Sequence, residues 1–307
     1  MSTWRKKNGQ RILQFAGTLL AFVLLVVLLK DGGWNEILLA FREVKTADLI
    51  WVALLFLISR IATVGRWHIL LQSGGIDMPL KDSTALTFTG LFASNFLPTT
   101  IGGDVVRLAG AMQMGYDRAV CLASIAADRL VGMLGMCMTL PVGVVHSWGL
   151  LNVSMASFSL VGFFQKPVEF LKQTFSVFGL WLKRPAALLG ALAFTWIHML
   201  CLFGSIYIFV DDLGTHISFW MIAGLWSLTY FITLIPISIN GYGLQELSFT
   251  FFMSNVAGLT PAISLSVAVL FRAYFILSSL PGAFFLPSIM AAMATQKQES
   301  SSSDILL

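Results

Sequence analysis

Eight ionisable side chains lie within apolar stretches of this sequence, where a charge is costly. They are Arg60, Arg66, Asp104, Arg107, Asp128, Arg129, Glu246 and Arg272. A charge at the centre of a membrane helix costs about 2.5–3.5 kcal/mol, so such residues pair inside the protein or meet a substrate. Five of the eight are arginines, and a guanidinium binds phosphate in a bidentate manner. The set therefore predicts an interior that binds an anionic group.

Asp104 and Arg107 are three residues apart, directly after Gly102-Gly103. Residues with this spacing share one face of a helix. One interpretation is structural: Asp104 caps the helix and pairs with Arg107. The other is functional: the helix N-terminus and Arg107 face an anionic headgroup. Both can hold together, because a capped helix start can organise an anion site.

Asp128 and Arg129 are adjacent in the middle of an apolar run. Adjacent residues of a helix diverge by about 100°, so we expect each to reach a different partner on a neighbouring element. For Arg129 the alternatives are packing with pairing, or lining a cavity. Arg60 is deep in its span and is expected to face protein, whereas Arg66 is close enough to the cytoplasmic end to snorkel.

A second polar cluster interrupts the apolar sequence near its C-terminal end. Its members are Ser238, Asn240, Gly241, Gly243, Gln245 and Glu246. Glu246 has three alternative roles: a proton carrier, a partner of Arg272, or a partner of Arg129. No metal site is predicted, because the histidines are isolated and the three cysteines have no CxxC spacing.

Two elements that carry these residues are broken by proline and glycine. In the first, residues 83–98 and 104–114 flank Pro98 and Gly102-Gly103, and neither half can cross a core of about 30 Å. The second covers residues 236–255, with Pro236, Gly241 and Gly243. Irregular backbone at membrane depth is tolerated only inside protein or along a wet cavity. Both are therefore predicted to be re-entrant.

The whole chain is 57% hydrophobic and 11% charged, against about 25% charged in a soluble domain. This composition excludes a soluble enzyme and a disordered chain, and the runs do not alternate as in a β-barrel. We predict an all-α polytopic integral membrane protein with about six to eight transmembrane helices. Predicted spans cover residues 12–29, 49–71, 120–145, 186–210, 219–235 and 262–283.

The remaining segments complete a single predicted membrane domain over residues 1–295. Residues 34–48 read as an amphipathic surface helix, 165–185 as a basic amphipathic linker, and 296–307 as a disordered tail. The basic residues before the first span place the N-terminus in the cytoplasm. The net charge of +4 is scattered over helix ends, which argues against nucleic acid as a partner.

The two halves form a weak internal repeat, residues 12–146 and 186–290. Pro98 and Gly102-Gly103 correspond to Pro236 and Gly241, and Arg129 corresponds to Arg272. Paired Gly/Pro-interrupted segments are the best sequence pointer to a transport site. The repeat is parallel if residues 150–164 cross the membrane and inverted if they lie flat.

The motifs resemble the flippase-like membrane domain of lysylphosphatidylglycerol synthases. The resemblance rests on Ser94-Asn95-Phe96-Leu97-Pro98, Gly102-Gly103-Asp104-Val105-Val106-Arg107, Asp128-Arg129, and the run from Pro236 to Glu246. It implies a polytopic fold with re-entrant elements and movement of a lipid across the bilayer. Asp128 departs from the glutamate frequent there in the family. Residues 1–307 contain no soluble acyltransferase domain, so aminoacyl transfer is not expected.

We therefore expect a lipid or lipid-linked-headgroup translocator of a bacterial inner membrane, without a cofactor. Its lipid partner would be an anionic phospholipid or a polyprenyl-linked headgroup. The predicted substrate-binding residues are Arg107, Arg129, Arg272, Asn95, Asn240 and Glu246, and the predicted structural motif consists of Pro98, Gly102, Gly103, Asp104, Asp128, Pro236, Gly241 and Gly243.

Two alternatives remain open. The first is an intramembrane glycosyl- or headgroup transferase that uses Asp104, Asp128 or Glu246 as acid or base, although the sequence has no recognisable catalytic motif. The second is a non-transporting membrane partner of a lipid-modifying enzyme. For a protein partner the choice lies between a second copy of the chain and such an enzyme.

Overall fold

The computed structural model describes residue 42 and residues 44–97, 102–148, 184–235 and 238–287. This part of the chain is helical and contains no strand. Three of its helices are long and apolar enough to cross a membrane. The all-α, polytopic membrane class predicted from composition is confirmed.

Four helices form the described first half. They are α1 (Thr46–Gly74), α2 (Leu80–Ser94), α3 (Gly102–Gln113) and α4 (Arg118–His146). Helix α1 presents exposed Ile50, Trp51, Leu54, Leu57, Ile58 and Ile61 on its outer side. This apolar surface suits contact with lipid rather than water.

The described second half repeats this order. It consists of α5 (Pro185–Asp212), α6 (Phe219–Thr233), a 3-10 turn (Ile239–Gly241), α7 (Leu244–Asn255) and α8 (Pro261–Leu277). Helices α1 and α5 have 29 and 28 residues, α2 and α6 have 15 each, and α3 and α7 have 12 each. The lengths of these three pairs support an internal repeat within the described residues, whereas the fourth pair differs, with 29 residues in α4 and 17 in α8.

Helix α6 differs from its prediction as a complete span over residues 219–235. It is 15 residues long, about 22 Å at 1.5 Å per residue, and the hydrocarbon core is about 30 Å thick. It packs against α7 as α2 packs against α3. The second broken element therefore begins at Phe219, because α6 is the first arm of a helical hairpin.

Helices α1 and α5 pack along their whole length and run antiparallel. As the residue number increases along α1, the number of its contact residue on α5 decreases. Lys45 contacts Asp212, Ser59 contacts His198, and Arg66 contacts Thr195. Because α1 and α5 hold the same place in their halves, the described halves are inverted relative to one another. At the end of this pair where α1 begins and α5 ends, the hydrogen bond to Asp212 raises the pKa of the Lys45 ammonium.

Each half also packs on the hairpin of the other half. A Cβ added at Gly143 of α4 would lie 2.2 Å from the Gly224 carbonyl oxygen of α6. A Cβ added at Gly282, after α8, would lie 2.0 Å from the Phe88 carbonyl oxygen of α2. Small residues allow such close helix approach in membranes. The reciprocal contacts agree with a two-fold relation between the halves.

Several predicted segments lie outside the described residues. These are the first span at 12–29, most of the surface helix at 34–48, the segment at 150–164, nearly all of the linker at 165–185, the tail at 296–307, and both Pro98 and Pro236. The predicted repeat boundaries, 12–146 and 186–290, extend into these segments and stay a prediction.

Candidate functional site

The first half holds a buried ionic cluster built by three helices. Its members are Arg66 from α1, Asp104 and Arg107 from α3, and Asp128 and Arg129 from α4. We call these five residues the first-half cluster. Each carboxylate in it accepts from two arginines, so the chain positions five charges with four ion pairs.

Asp128 joins two helices to its own. Its carboxylate accepts from Arg66 Nε at 2.6 Å and from Arg107 Nη1 at 3.2 Å. Asp128 is 3% exposed, so this pairing offsets the desolvation of the carboxylate. The position predicted for Arg66 was wrong: it does not snorkel to the surface but is held inside by Asp128.

Asp104 joins α3 to α4. Its carboxylate accepts from Arg107 Nη1 at 3.3 Å and from Arg129 Nε. No backbone donor to Asp104 is found among the described residues, so the predicted cap is replaced by the ion pairs. The expectation that Asp128 and Arg129 reach different partners agrees with this arrangement, since Asp128 accepts from Arg66 and Arg107 whereas Arg129 donates to Asp104.

Arg107 is seated tightly where α1, α2 and α3 meet. A Cβ added at Gly90 would lie 2.7 Å from its Cγ, so only glycine leaves room for the side chain there. Its guanidinium lies 4.1 Å from the ring centre of Trp67, a cation–π distance. The indole of Trp67 is held in turn by a hydrogen bond to Ser124.

One edge of the Arg107 guanidinium is unused by the described residues. Its Nη1 serves both aspartates, whereas its buried Nε and Nη2 have no hydrogen-bond partner there. These two atoms form the side edge of the guanidinium, which matches two oxygens of a phosphate or carboxylate. The site therefore presents a desolvated fork for an anion.

The second half holds a separate ion pair between Glu246 of α7 and Arg272 of α8. Their Oε1 and Nε atoms are 2.5 Å apart. Glu246 also accepts from the Gly243 backbone N–H at 2.8 Å, and Arg272 lies 4.9 Å from the Tyr242 ring centre. Of the alternatives for Glu246, the structure shows pairing with Arg272.

The two halves place an acid and an arginine at matching positions. Asp104 and Glu246 are each the third residue of their helix, and Arg129 and Arg272 are each the twelfth of theirs. The paired residues are 25 apart in the first half and 26 apart in the second. The acid–arginine pair is thus part of the repeat.

The rest of the first-half cluster has no ionic counterpart at matching positions. The sixth residue is Arg107 in α3 but Phe249 in α7, and the eleventh is Asp128 in α4 but Phe271 in α8. Both phenylalanines are buried and pack on Trp226. Within the described residues, the first half therefore differs from the second in combining buried charge with an unpaired guanidinium edge.

The other predicted residues are placed as follows. Asn95 caps the end of α2 and donates to Ser279 at 2.8 Å. Asn240 has a φ of 48°, and Gly241 and Gly243 have φ values of 73° and 75°. These left-handed residues make the break before α7, because asparagine and glycine tolerate this conformation best.

Two contacts of the first-half cluster were not predicted from the sequence. These are the ion pair of Arg66 with Asp128 and the packing of Trp67, which lies outside the cluster, on the Arg107 guanidinium. No described group of three His, Cys, Asp or Glu side chains is placed to hold a metal.

The chain was then compared with known proteins. A family model described as "Lysylphosphatidylglycerol synthase TM region" matches residues 14–282. This range contains every helix described above. No curated protein matches the chain.

Proposed function

The chain belongs to the lysylphosphatidylglycerol synthase TM region family, and from that premise we propose that it translocates a lipid or lipid-linked headgroup. The headgroup is anionic and binds the first-half cluster through Arg107. The second-half pair Glu246–Arg272 holds the matching hairpin to α8. Arg129 belongs to the same cluster. Asn95 and Asn240 lie at the breaks of the first and the second hairpin, and we propose that they help to position the headgroup.

The observation that carries this proposal is the unpaired edge of the Arg107 guanidinium. Its Nε and Nη2 are buried and have no acceptor among the described residues. A buried, unpaired donor costs about 1–3 kcal/mol, more when it is charged. Two anionic oxygens at that edge would remove this cost. The site is therefore complementary to the phosphate of a ligand.

The charge of Arg107 favours the same ligand. Its guanidinium is positive, and its buried Nε and Nη2 have no hydrogen-bond partner among the described residues. Two phosphate oxygens match this edge in geometry and in charge. We therefore expect a headgroup with a net negative charge to bind more strongly than a zwitterionic one.

The pairing of the carboxylates supports translocation over group transfer. Asp104, Asp128 and Glu246 each accept from at least one arginine. Such contacts occupy the oxygens that a general acid or base would use. The transferase alternative therefore draws no support from these three residues.

A flipping assay in proteoliposomes tests the proposal. Fluorescent phosphatidylglycerol and phosphatidylcholine are followed by quenching of the outer leaflet. We expect faster flipping of phosphatidylglycerol, and a loss of about tenfold or more for Arg107→Gln. Arg107→Lys should also be slow, because an ammonium has no planar fork.

Arg118→Gln is the matched control, because Arg118 is an exposed arginine at the start of α4. It should flip at the wild-type rate. A wild-type rate for Arg107→Gln would refute the headgroup site. A wild type that binds lipid-modifying enzymes but flips nothing would favour the non-transporting alternative.

We also propose an inner-membrane location with the N-terminus in the cytoplasm. Exposed Lys81, Arg118 and Arg184 lie at helix ends that share a side with the C-terminal end of α1, and basic loops face the cytoplasm. A cysteine at Arg118 should then react with an impermeant thiol reagent only from the cytoplasm, and one at His216 only from outside. The reverse labelling would contradict this orientation.

A further inference from the structure

Arg60 is a deeply buried charge outside the two sites described above. It lies in the middle of α1 and is 1% exposed. The other buried arginines, Arg66, Arg107 and Arg272, each pair with a carboxylate. No carboxylate of the described residues lies within ion-pair distance of Arg60, so its charge is left without a counter-charge.

The contacts of Arg60 are with neutral groups. Its Nε donates to Ser278 Oγ at 2.9 Å and its Nη2 donates to the Phe275 carbonyl oxygen at 3.2 Å. Its guanidinium lies 4.2 Å from the Phe275 ring centre. Nη1 has no acceptor among the described residues. These contacts orient the guanidinium but leave its charge uncompensated.

A second donor converges on the same turn. Asn95, at the break of the first hairpin, donates through Nδ2 to Ser279 Oγ at 2.8 Å. Ser278 and Ser279 follow α8 directly. Arg60 and Asn95 from the first half thus meet two hydroxyls from the second half, at the junction between the inverted halves.

A buried arginine in this position costs free energy unless an anion binds to it. A charge at membrane depth costs several kcal/mol, and neutral acceptors repay only part of this. A carboxylate lowers this cost for Arg66 and Arg107, through Asp128, and for Arg272, through Glu246. No carboxylate of the described residues does so for Arg60, so a ligand can supply the counter-charge.

We propose that Arg60 and Asn95 form a second anion subsite that takes the phosphate of a lipid headgroup. The hydroxyls of Ser278 and Ser279 orient these two donors, because each accepts from one of them and donates its own hydrogen to a backbone carbonyl oxygen of α8. The inference rests on the proposed function, because it assigns a second binding position to the same headgroup. Arg107 binds within the first half, whereas Arg60 binds where the two halves meet. The two guanidinium groups would thus give one headgroup two successive binding positions.

The test is a binding titration of the whole protein in neutral detergent, with dioctanoyl phosphatidylglycerol as the probe. Calorimetry should give two sites for the wild type and for the control Arg118→Gln. Arg60→Gln and Arg107→Gln should each lose one site, and the double variant should lose both. We expect the affinity of the affected site to fall about tenfold or more.

Two further arms identify the ligand. Dioctanoyl phosphatidylcholine should bind the Arg60 subsite more weakly, because its headgroup has no net charge. Inorganic phosphate should compete with the lipid if the free anion is the ligand, and should fail to compete if the lipid headgroup is. Either result supports an anion subsite and names its source.

Ser278→Asp keeps the subsite testable should Arg60→Gln fail to fold. A carboxylate there would pair with Arg60 and occupy the subsite from within. The variant should lose one phosphatidylglycerol site, keep the Arg107 site, and melt at a higher temperature than the wild type. Unchanged stoichiometry and affinity in Arg60→Gln, or in a folded Ser278→Asp, would overturn the proposal.

The failure of the subsite and that of the proposed function give different results. Binding at Arg60 without any flipping by the wild type would remove the translocator function and leave the subsite. Flipping that depends on Arg107, with wild-type binding in the Arg60 variants, would remove the subsite and leave the function.

Discussion

At the scale of the residue, the interior is organised by carboxylates that each serve more than one group. Asp128 binds Arg66 and Arg107, and Asp104 binds Arg107 and Arg129. Arg107 is common to both, so two aspartates fix its orientation while Nε and Nη2 on its other edge have no partner among the described residues. A guanidinium that is already held in place loses little conformational freedom when it binds an anion, which favours selective binding.

Removing the Asp128 charge should destabilise the protein strongly. Asp128→Asn would leave the guanidinium groups of Arg66 and Arg107 buried without their shared carboxylate. Loss of one partner of a buried pair costs about 3–5 kcal/mol. The measurement is the free energy of unfolding in a mixed-detergent titration.

The control for Asp128→Asn is Asp77→Asn, an exposed residue in the loop before α2. It should leave the free energy of unfolding within about 0.5 kcal/mol of the wild type. Equal stability of the two variants would show that the Asp128 ion pairs contribute nothing net.

Sequence reasoning reached these residues unevenly. The cost of charge in hydrocarbon was enough to single out Asp104, Arg107, Asp128 and Arg129. It did not give the position of Arg66, because distance from a span end says nothing about which neighbour a side chain faces. That information comes from the packing of α1 against α4, which is a tertiary property.

At the scale of the element, the two hairpins depend on close backbone contact. A Cβ added at Gly103 would lie 2.3 Å from the Gly90 carbonyl oxygen, so α2 and α3 can pack this closely only with glycine there. The paired glycines were read from the sequence as a break. Their second role, holding the Arg107 side chain against α2, required the structure.

Gly103→Ala should therefore separate α2 from α3 and displace Arg107. Overpacking of this kind costs about 1–3 kcal/mol, and flipping of phosphatidylglycerol should fall with it. Gly204→Ala is the matched control in α5, because its Cβ would meet only Leu55 Cδ1 at 3.5 Å. Equal effects of both substitutions on stability and flipping would argue against a special contact at Gly103.

The break before α7 should depend on left-handed backbone at Asn240. Asn240→Val should destabilise the fold by about 1–2 kcal/mol, because a branched residue is strained at positive φ. Asn240→Gly should be tolerated in the free energy of unfolding. A valine variant as stable as the glycine variant would show that the break does not need this conformation.

At the scale of the whole molecule, the two inverted halves share one ion pair but differ in the residues around it. The acid–arginine pair recurs in both halves, but Arg107 and Asp128 are matched by Phe249 and Phe271. The sequence predicted a weak repeat from Pro, Gly and Arg. It did not give the relative direction of the two halves, because this depends on whether residues 150–164 cross the membrane.

Helix direction itself gives the last prediction. In a variant without Cys121, Cys137 and Cys201, cysteines at Leu55 and Gly204 should react with a short thiol crosslinker, as should cysteines at Ile69 and Gly190. The structure brings each pair into side-chain contact across α1 and α5.

The exchanged pairs, Leu55 with Gly190 and Ile69 with Gly204, serve as controls of the same chemistry. Gly190 and Gly204 are 14 residues apart, about 21 Å along a helix, so antiparallel packing keeps both exchanged pairs beyond the crosslinker's reach. Parallel packing would reverse the result. Crosslinking is read from gel mobility and from mass spectrometry of the joined peptides. Reaction of the exchanged pairs alone would contradict the inverted arrangement, and with it the position of Arg60 at the junction between the halves.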